Sequence, residues 1–221
     1  MIRAVLFDFG DTLFHRRGSA QALVEAAREL GVEASEAEAA AVWTSIQARA
    51  RTPEELAKGR DLSADAHRAG WTDLYRRADT LAPGMGELLY EWEIAPERWE
   101  PFADTLPTLS ALREAGVRLG VVSDTGWDIR PILARYGCLD WFGTVVMSYQ
   151  HGVAKPAASL FLAACDELRV PPSQALMVGD NPLTDGGAAE AGLLTLILPS
   201  MTPVNNGQPG RGLWAAARLA L

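Results

Sequence analysis

Five short apolar runs, at residues 4–7, 118–123, 144–148, 175–178 and 193–198, limit what this chain can fold into more than any other feature. They are rich in β-branched and aliphatic residues, and they lack the polar alternation of a strand that faces water on one side. Each therefore reads as a strand buried on both faces. From residue 105 onward the runs alternate with helical patterns, "LPTLSALREAG", "IRPILARYG", "ASLFLAACDEL" and "DGGAAEAG", several closed by a glycine suited to a helix C-cap. Strand and helix in that rhythm give an α/β fold built on a parallel, doubly wound sheet.

Between the first run and the second the rhythm stops. Residues 15–104 contain no convincing strand, whereas "SAQALVEAAREL", "SEAEAAAVWTSIQARA", "SADAHRAGWTDLYRRA" and "GMGELLYEW" carry helical periodicity with polar starts. A structureless loop of that length does not occur in a compact domain, so a helical domain is inserted there. The expected division is an α/β core from residues 1–14 and 105–221, with a helical domain over 15–104. Trp43, Trp71 and Trp92 are read as that domain's core, because aromatic side chains dominate burial. The stretch "PSMTPVNNGQPG", residues 199–210, reads as a turn-rich connector to a short final helix.

Composition narrows the partners. A length of 221 residues with 48% hydrophobic content suffices for one large core and a smaller companion. The net charge of −8 opposes binding to phosphate backbones, and no run of Lys or Arg offsets it, so nucleic acid is not expected. Cys138 and Cys165 sit in no zinc or C-x-x-C spacing and read as buried free thiols of a reducing compartment. An acid at residue 8 leaves no room for a signal-peptide apolar region, and no membrane-length apolar run occurs, so a cytoplasmic protein with no membrane partner is expected. Lys58 and Lys155 are the only lysines, which leaves two candidates for any task needing a compact ammonium.

In a parallel sheet the carboxyl ends of the strands share one edge, and ligands bind in the crevice outside them. Here the first run ends at Asp8 in "AVLFDFGDTLF"; the second ends at Ser123 and Asp124 in "VVSDTG"; "MVGDNPLTDGG" supplies Asp180 and Asp185; and Lys155 lies in "HGVAKPAASLF". One acid after a strand is an ordinary turn residue. Four segments delivering acids, a hydroxyl and a lysine to one edge describe a site.

This set resembles the haloacid dehalogenase superfamily of aspartate-nucleophile hydrolases. "DFGDT", "VVSD", "AKPAASLF" and "GDNPLTD" match its four motifs in order, and the helical insertion is similar to its helical type of cap. The resemblance implies a Rossmann-like core and a nucleophile at Asp8 that forms an aspartyl-phosphate with a small phosphorylated metabolite. It implies magnesium held by Asp8, Asp180 and the backbone carbonyl of Gly10, with Asp185 in support. Ser123, Asp124 and Lys155 then form the phosphate-binding group, and Lys155 steadies Asp8 in its ionised form.

One position departs from the pattern. Phosphatases of this superfamily usually carry a second Asp two residues after the nucleophile, which protonates the leaving alcohol. Gly10 stands there instead, and Asp11 stands where Gly is usual, so Asp11 is a candidate for a displaced acid. His15, at the start of the insertion, is a weaker one; His67 reads as surface or cap structure, and with His151 the three form no metal cluster. Three functions are compatible: a specialised magnesium-dependent phosphatase; a C–P or C–halogen hydrolase, for which Lys58 is the only cap lysine; and a non-catalytic phosphate-ligand binder. The complete "GDNPLTD" favours the first. Oligomeric state leaves no trace in the sequence.

Overall fold

The computed structural model describes residues 1–16, 19–199 and 210–221. The turn-rich connector expected over 199–210 lies outside the described residues except at its two ends. In chain order the elements are β1 (Ala4–Phe7), β2 (Phe14–Arg16), then α1 (Ser19–Glu29), α2 (Glu36–Ala50), α3 (Pro53–Leu56), α4 (Ala64–Tyr75) and α5 (Met85–Ile94). There follow β3 (Trp99–Pro101), α6 (Thr105–Glu114), β4 (Arg118–Ser123), α7 (Arg130–Arg135), β5 (Phe142–Met147), α8 (Ser148–His151) and α9 (Ala158–Leu168). Last come β6 (Ala175–Gly179), β7 (Leu194–Ile197) and α10 (Trp214–Ala220).

The core is a five-stranded, fully parallel sheet in the order β5-β4-β1-β6-β7. β1 lies in its centre, with Leu6 opposite Gly120 on one side and Met177 on the other. Alternate residues of β1 serve different faces. Val5 and Phe7 join a cluster with Leu112, Ile132 and Leu213 from α6, α7 and the start of α10, while Ala4 and Leu6 join another with Leu160, Phe161 and Ala164 of α9. This two-sided cover explains the unbroken apolar run, each buried large side chain contributing roughly 1.5–3 kcal/mol. β7 departs from the expectation: as the last strand of the sheet it is only partly covered, and Leu194 is exposed. "DGGAAEAG" also departs, forming one 3-10 turn at Asp185–Ala188, since paired glycines do not propagate an α-helix.

Helices α1, α2, α4 and α5 supply a separate apolar cluster around Leu23, Ile46, Tyr75 and Met85. Local signals fix their starts: Ser35 and Glu38 form a capping box at α2, and Thr52 caps α3 with Pro53 in its first turn. Trp43, Trp71 and Trp92 cover this cluster as half-buried side chains instead of filling its centre, each facing an arginine: Arg16, Arg60 and Arg98. The reading of 15–104 as strand-free needs correction. β2 and β3 pair antiparallel into a ribbon at the two ends of the helical segment, and three residues apiece are too few to show periodicity. The helical layer also docks on the sheet edge, where Ser148 Oγ donates to the Asp61 carbonyl at 2.6 Å.

Candidate active site

The end of β1 is set against its neighbour: the Asp8 amide donates to the Val178 carbonyl at 2.9 Å, which extends the ladder one residue and places the Asp8 side chain at the carboxyl edge. There Lys155 Nζ meets Asp8 Oδ1 at 2.7 Å and Asp185 Oδ1 at 2.6 Å. The ammonium is 3% exposed, the two carboxylates 11% and 1%. Thr12 Oγ1 donates to the other Asp8 oxygen at 3.4 Å, so both oxygens of the expected nucleophile are oriented. Asp185 Oδ2 accepts the amides of Asp180 and Asn181 at 3.1 and 3.0 Å, and its carboxylate lies where a Cβ on Gly179 would collide with it. That close approach accounts for the glycine before Asp180. Asp124 accepts the Lys155 backbone amide at 2.9 Å, holding the lysine's segment, and Ser123 is buried at the end of β4.

The turn after Asp8 is tight. The amides of Leu13 and Phe14 both reach the Phe9 carbonyl, the Asp11 amide donates to the Phe14 carbonyl, and Asp11 adopts a left-handed φ of 55°, a conformation Asp tolerates better than most residues. Asp11 is exposed, whereas a Cβ built at Gly10 would meet nothing within 4 Å.

Electrostatics follow from packing these charges together. Burial raises the Asp8 carboxyl well above the usual range; the Lys155 charge pulls it back, and Asp185 raises it further. Burial also disfavours the Lys155 ammonium, but Asp8, Asp185 and Asp124 outweigh that cost, and the group stays protonated. Asp180 is raised by burial, then by Asp11 and Asp185. One ammonium thus serves several buried carboxylates. Ligand oxygens of Asp8, Asp180 and Asp185 lie within 4.8 Å of one another. An all-carboxylate donor set suits a hard divalent cation such as magnesium and offers nothing to a thiophilic one.

A profile of the haloacid dehalogenase-like hydrolases matches residues 2–192. This chain belongs to that family. The hydrolase is 32% identical over 210 residues to the glyceraldehyde 3-phosphate phosphatase of Methanopyrus kandleri, covering 89% of this chain and 83% of that one. It is 30% identical over 195 residues to haloacid dehalogenase-like hydrolase domain-containing protein 3 of Danio rerio, covering 83% and 79%. Among solved structures, a HAD phosphatase from Thermococcus onnurineus superposes with a TM-score of 0.64 at 26% identity, covering 99% and 97%. The L-2-haloacid dehalogenase of Xanthobacter autotrophicus superposes with 0.67 at 22% identity, covering 92% and 80%, a likeness of fold alone.

Within the hydrolase, the structure gathers Asp8, Asp185, Lys155 and Asp180, with Asp124 behind the lysine. It leaves Lys58 apart: its side chain is 51% exposed and paired with Glu55 at 2.8 Å. His15 sits half-buried on β2 against Phe102, and His151 is exposed. Of the two readings of His67, surface or cap structure, the second holds: it is buried on α4, with Nδ1 3.1 Å from the Tyr90 hydroxyl and its side chain against Gly126. Burial pushes it down to about 3 and so keeps it neutral. Both cysteines are buried free thiols, pushed up to about 11 by burial. Among the described residues no helix is long and apolar enough to cross a membrane. Sequence reasoning missed Arg211, whose side chain reaches the Asp11 carbonyl and approaches Asp180, and Asp104, whose carboxylate accepts the amides of residues 211–213. An arginine between two glycines before a helix was the only available signal.

Proposed function

We propose that this hydrolase is a magnesium-dependent phosphatase of small phosphorylated metabolites, working through an aspartyl-phosphate at Asp8. The observation that carries the reading is the trio Asp8, Asp180 and Asp185, with ligand oxygens within 4.8 Å, beside a single ammonium. Relatives at 30% identity or more over most of the chain include a named glyceraldehyde 3-phosphate phosphatase, and another at 30% is named a ribulose-1,5-bisphosphate 5-phosphatase. Asp8, Asp180 and the Gly10 carbonyl would hold the cation, with Asp185 supporting. When bound, magnesium supplies the positive charge that lets a carboxylate approach a phosphate dianion.

The chain's own groups do the rest. Thr12 and Lys155 hold Asp8 oriented, so that one carboxylate oxygen attacks phosphorus while the leaving oxygen departs. Lys155 and the Ser123 hydroxyl stabilise the phosphoryl oxygens as charge builds, and Asp124 serves that group through the Lys155 amide it accepts. Water then cleaves the aspartyl-phosphate. With Gly10 in place of a carboxylate, the proton for the leaving group comes from elsewhere or is not needed, which fits substrates with good leaving groups. Lys58, the one lysine of the helical insertion, is exposed and ion-paired instead of buried as a Schiff-base amine would be, which argues against the C–P hydrolase reading.

The test is a screen of phosphorylated metabolites with magnesium, run beside Asp8→Asn. Phosphate release by the wild type and none by the variant supports the reading. Release by Asp8→Asn within about tenfold of wild type removes Asp8 from the chemistry.

A further inference from the structure

Arg211 enters the site from the far end of the chain. Its backbone is pinned by Asp104, whose Oδ1 accepts the Arg211 amide at 2.6 Å and whose Oδ2 accepts the amides of Gly212 and Leu213 at 2.7 and 2.8 Å. From that anchor the side chain, 5% exposed, donates through Nε to the Asp11 carbonyl and through Nη1 to the Pro199 carbonyl, each at 2.5 Å. The third nitrogen, Nη2, is buried without a hydrogen-bond partner among the described residues, 3.9 Å from Asp180 Oδ2. That separation is too long for a hydrogen bond. Leaving a guanidinium nitrogen buried without a hydrogen bond is costly, so an arginine held this firmly with one donor spare is adapted to an acceptor that moves to it. The nearby acceptor is Asp180. The division of charge agrees: Lys155 serves Asp8 and Asp185, while Arg211 serves Asp180 and the turn carrying Gly10 and Asp11.

We propose that Arg211 is a positioning residue for the cation site: it clamps the Asp11 carbonyl, fixing the turn that carries Gly10, and its Nη2 takes Asp180 Oδ2 when the other carboxylate oxygen turns to the cation. The inference rests on the magnesium-dependent reading above. A ligating carboxylate whose second oxygen is held binds metal more tightly than a free one, and loss of such a partner weakens affinity by about 10–100-fold.

The experiment is calorimetric titration of the metal-free full chain with magnesium chloride, with urea unfolding measured on the same samples. Wild type binds magnesium. Arg211→Gln binds it about 10–100-fold more weakly while folded, and Arg211→Lys, which still presents a cation to Asp180, recovers part of the loss. A purely structural arginine would lower the unfolding midpoint and leave affinity per folded molecule unchanged; Arg211→Gln within about twofold of wild type in affinity overturns the proposal against the expected weakening. Should Arg211→Gln fail to fold, Asp104→Asn decides, because it loosens the anchor and keeps the arginine. Weaker magnesium binding supports the proposal and unchanged binding overturns it. A wild type that binds no magnesium refutes the cation site itself, a result distinct from an Arg211 variant that binds normally.

Discussion

Replacing Gly10 by Asp probes the one position where the site lacks an expected carboxylate. The backbone accepts the change: a Cβ there meets nothing within 4 Å, and Gly10 is not among the residues with positive φ. The stability cost is therefore that of an ordinary tolerated substitution, within about 0.5 kcal/mol. Like charges about 6 Å apart repel by roughly 3 kcal/mol at an effective dielectric near 20, so the acids at positions 8 and 180 raise the new carboxyl, while Lys155 and a bound cation lower it. A protonated acid beside the leaving oxygen contributes about 10²–10⁴-fold, or roughly 2.7–5.5 kcal/mol of barrier, where the leaving group is a poor one. The assay is kcat/KM at saturating magnesium for a series of phosphate esters from p-nitrophenyl to alkyl. Gly10→Asp should raise the alkyl rates by that factor and the p-nitrophenyl rate far less. A folded, magnesium-binding variant with an unchanged dependence on the leaving group refutes the reasoning. The acid then lies elsewhere, and Asp11→Asn would locate it if alkyl turnover alone collapsed.

Gly126→Ala drives a methyl against the Cβ and Cγ of His67 and should cost about 1–3 kcal/mol in urea unfolding. Adding His67→Gly, which removes the Cβ nearest the new methyl, should make the further cost of the glycine substitution much smaller; strictly additive losses would contradict the contact. Lys155→Met leaves Asp8 and Asp185 buried without their counter-charge and should destabilise the metal-free chain by about 3–5 kcal/mol, whereas a loss below about 1 kcal/mol would mean that water already solvates the pair. His67 is neutral in the fold, held down to about 3, but titrates near 6.5 when unfolded, so the unfolded chain binds the extra proton between those values. Its contribution is present above about pH 6.5 and is lost on acidification, by about 2 kcal/mol between pH 6.5 and 5. Asp61 beside it, raised to about 6 by burial, works in the opposite direction, so the effect is read as the difference between wild type and His67→Gln. Equal acid sensitivity of the two proteins would refute it.

Asp8, Ser123, Lys155, Asp180 and Asp185 were legible in the sequence for one physical reason. Each follows or flanks a strand of a parallel sheet, and such a sheet turns position along the chain into position along one edge. β1 could be read to the residue because both its faces are covered. β7 could not be judged so well, since burial at a sheet edge depends on what packs beyond it. The β2–β3 ribbon was hidden because three-residue strands carry no period, and their pairing spans the whole helical insertion. Arg211 and Asp104 were hidden because their link to Asp11 is purely tertiary. His67 could be read only as surface or cap structure, because nothing local distinguishes a histidine packed under Gly126 from one on a helix surface.

The central claim is that Asp8 attacks phosphorus, and chemical trapping tests it most directly. Acid-quenching a single turnover of a phosphorylated substrate with magnesium present, then mapping the protein by mass spectrometry, should find a phosphoryl adduct on the peptide carrying Asp8 and none in Asp8→Asn. Turnover that leaves Asp8 unmodified while another residue carries the phosphoryl group, or that persists in Asp8→Asn, would contradict the account.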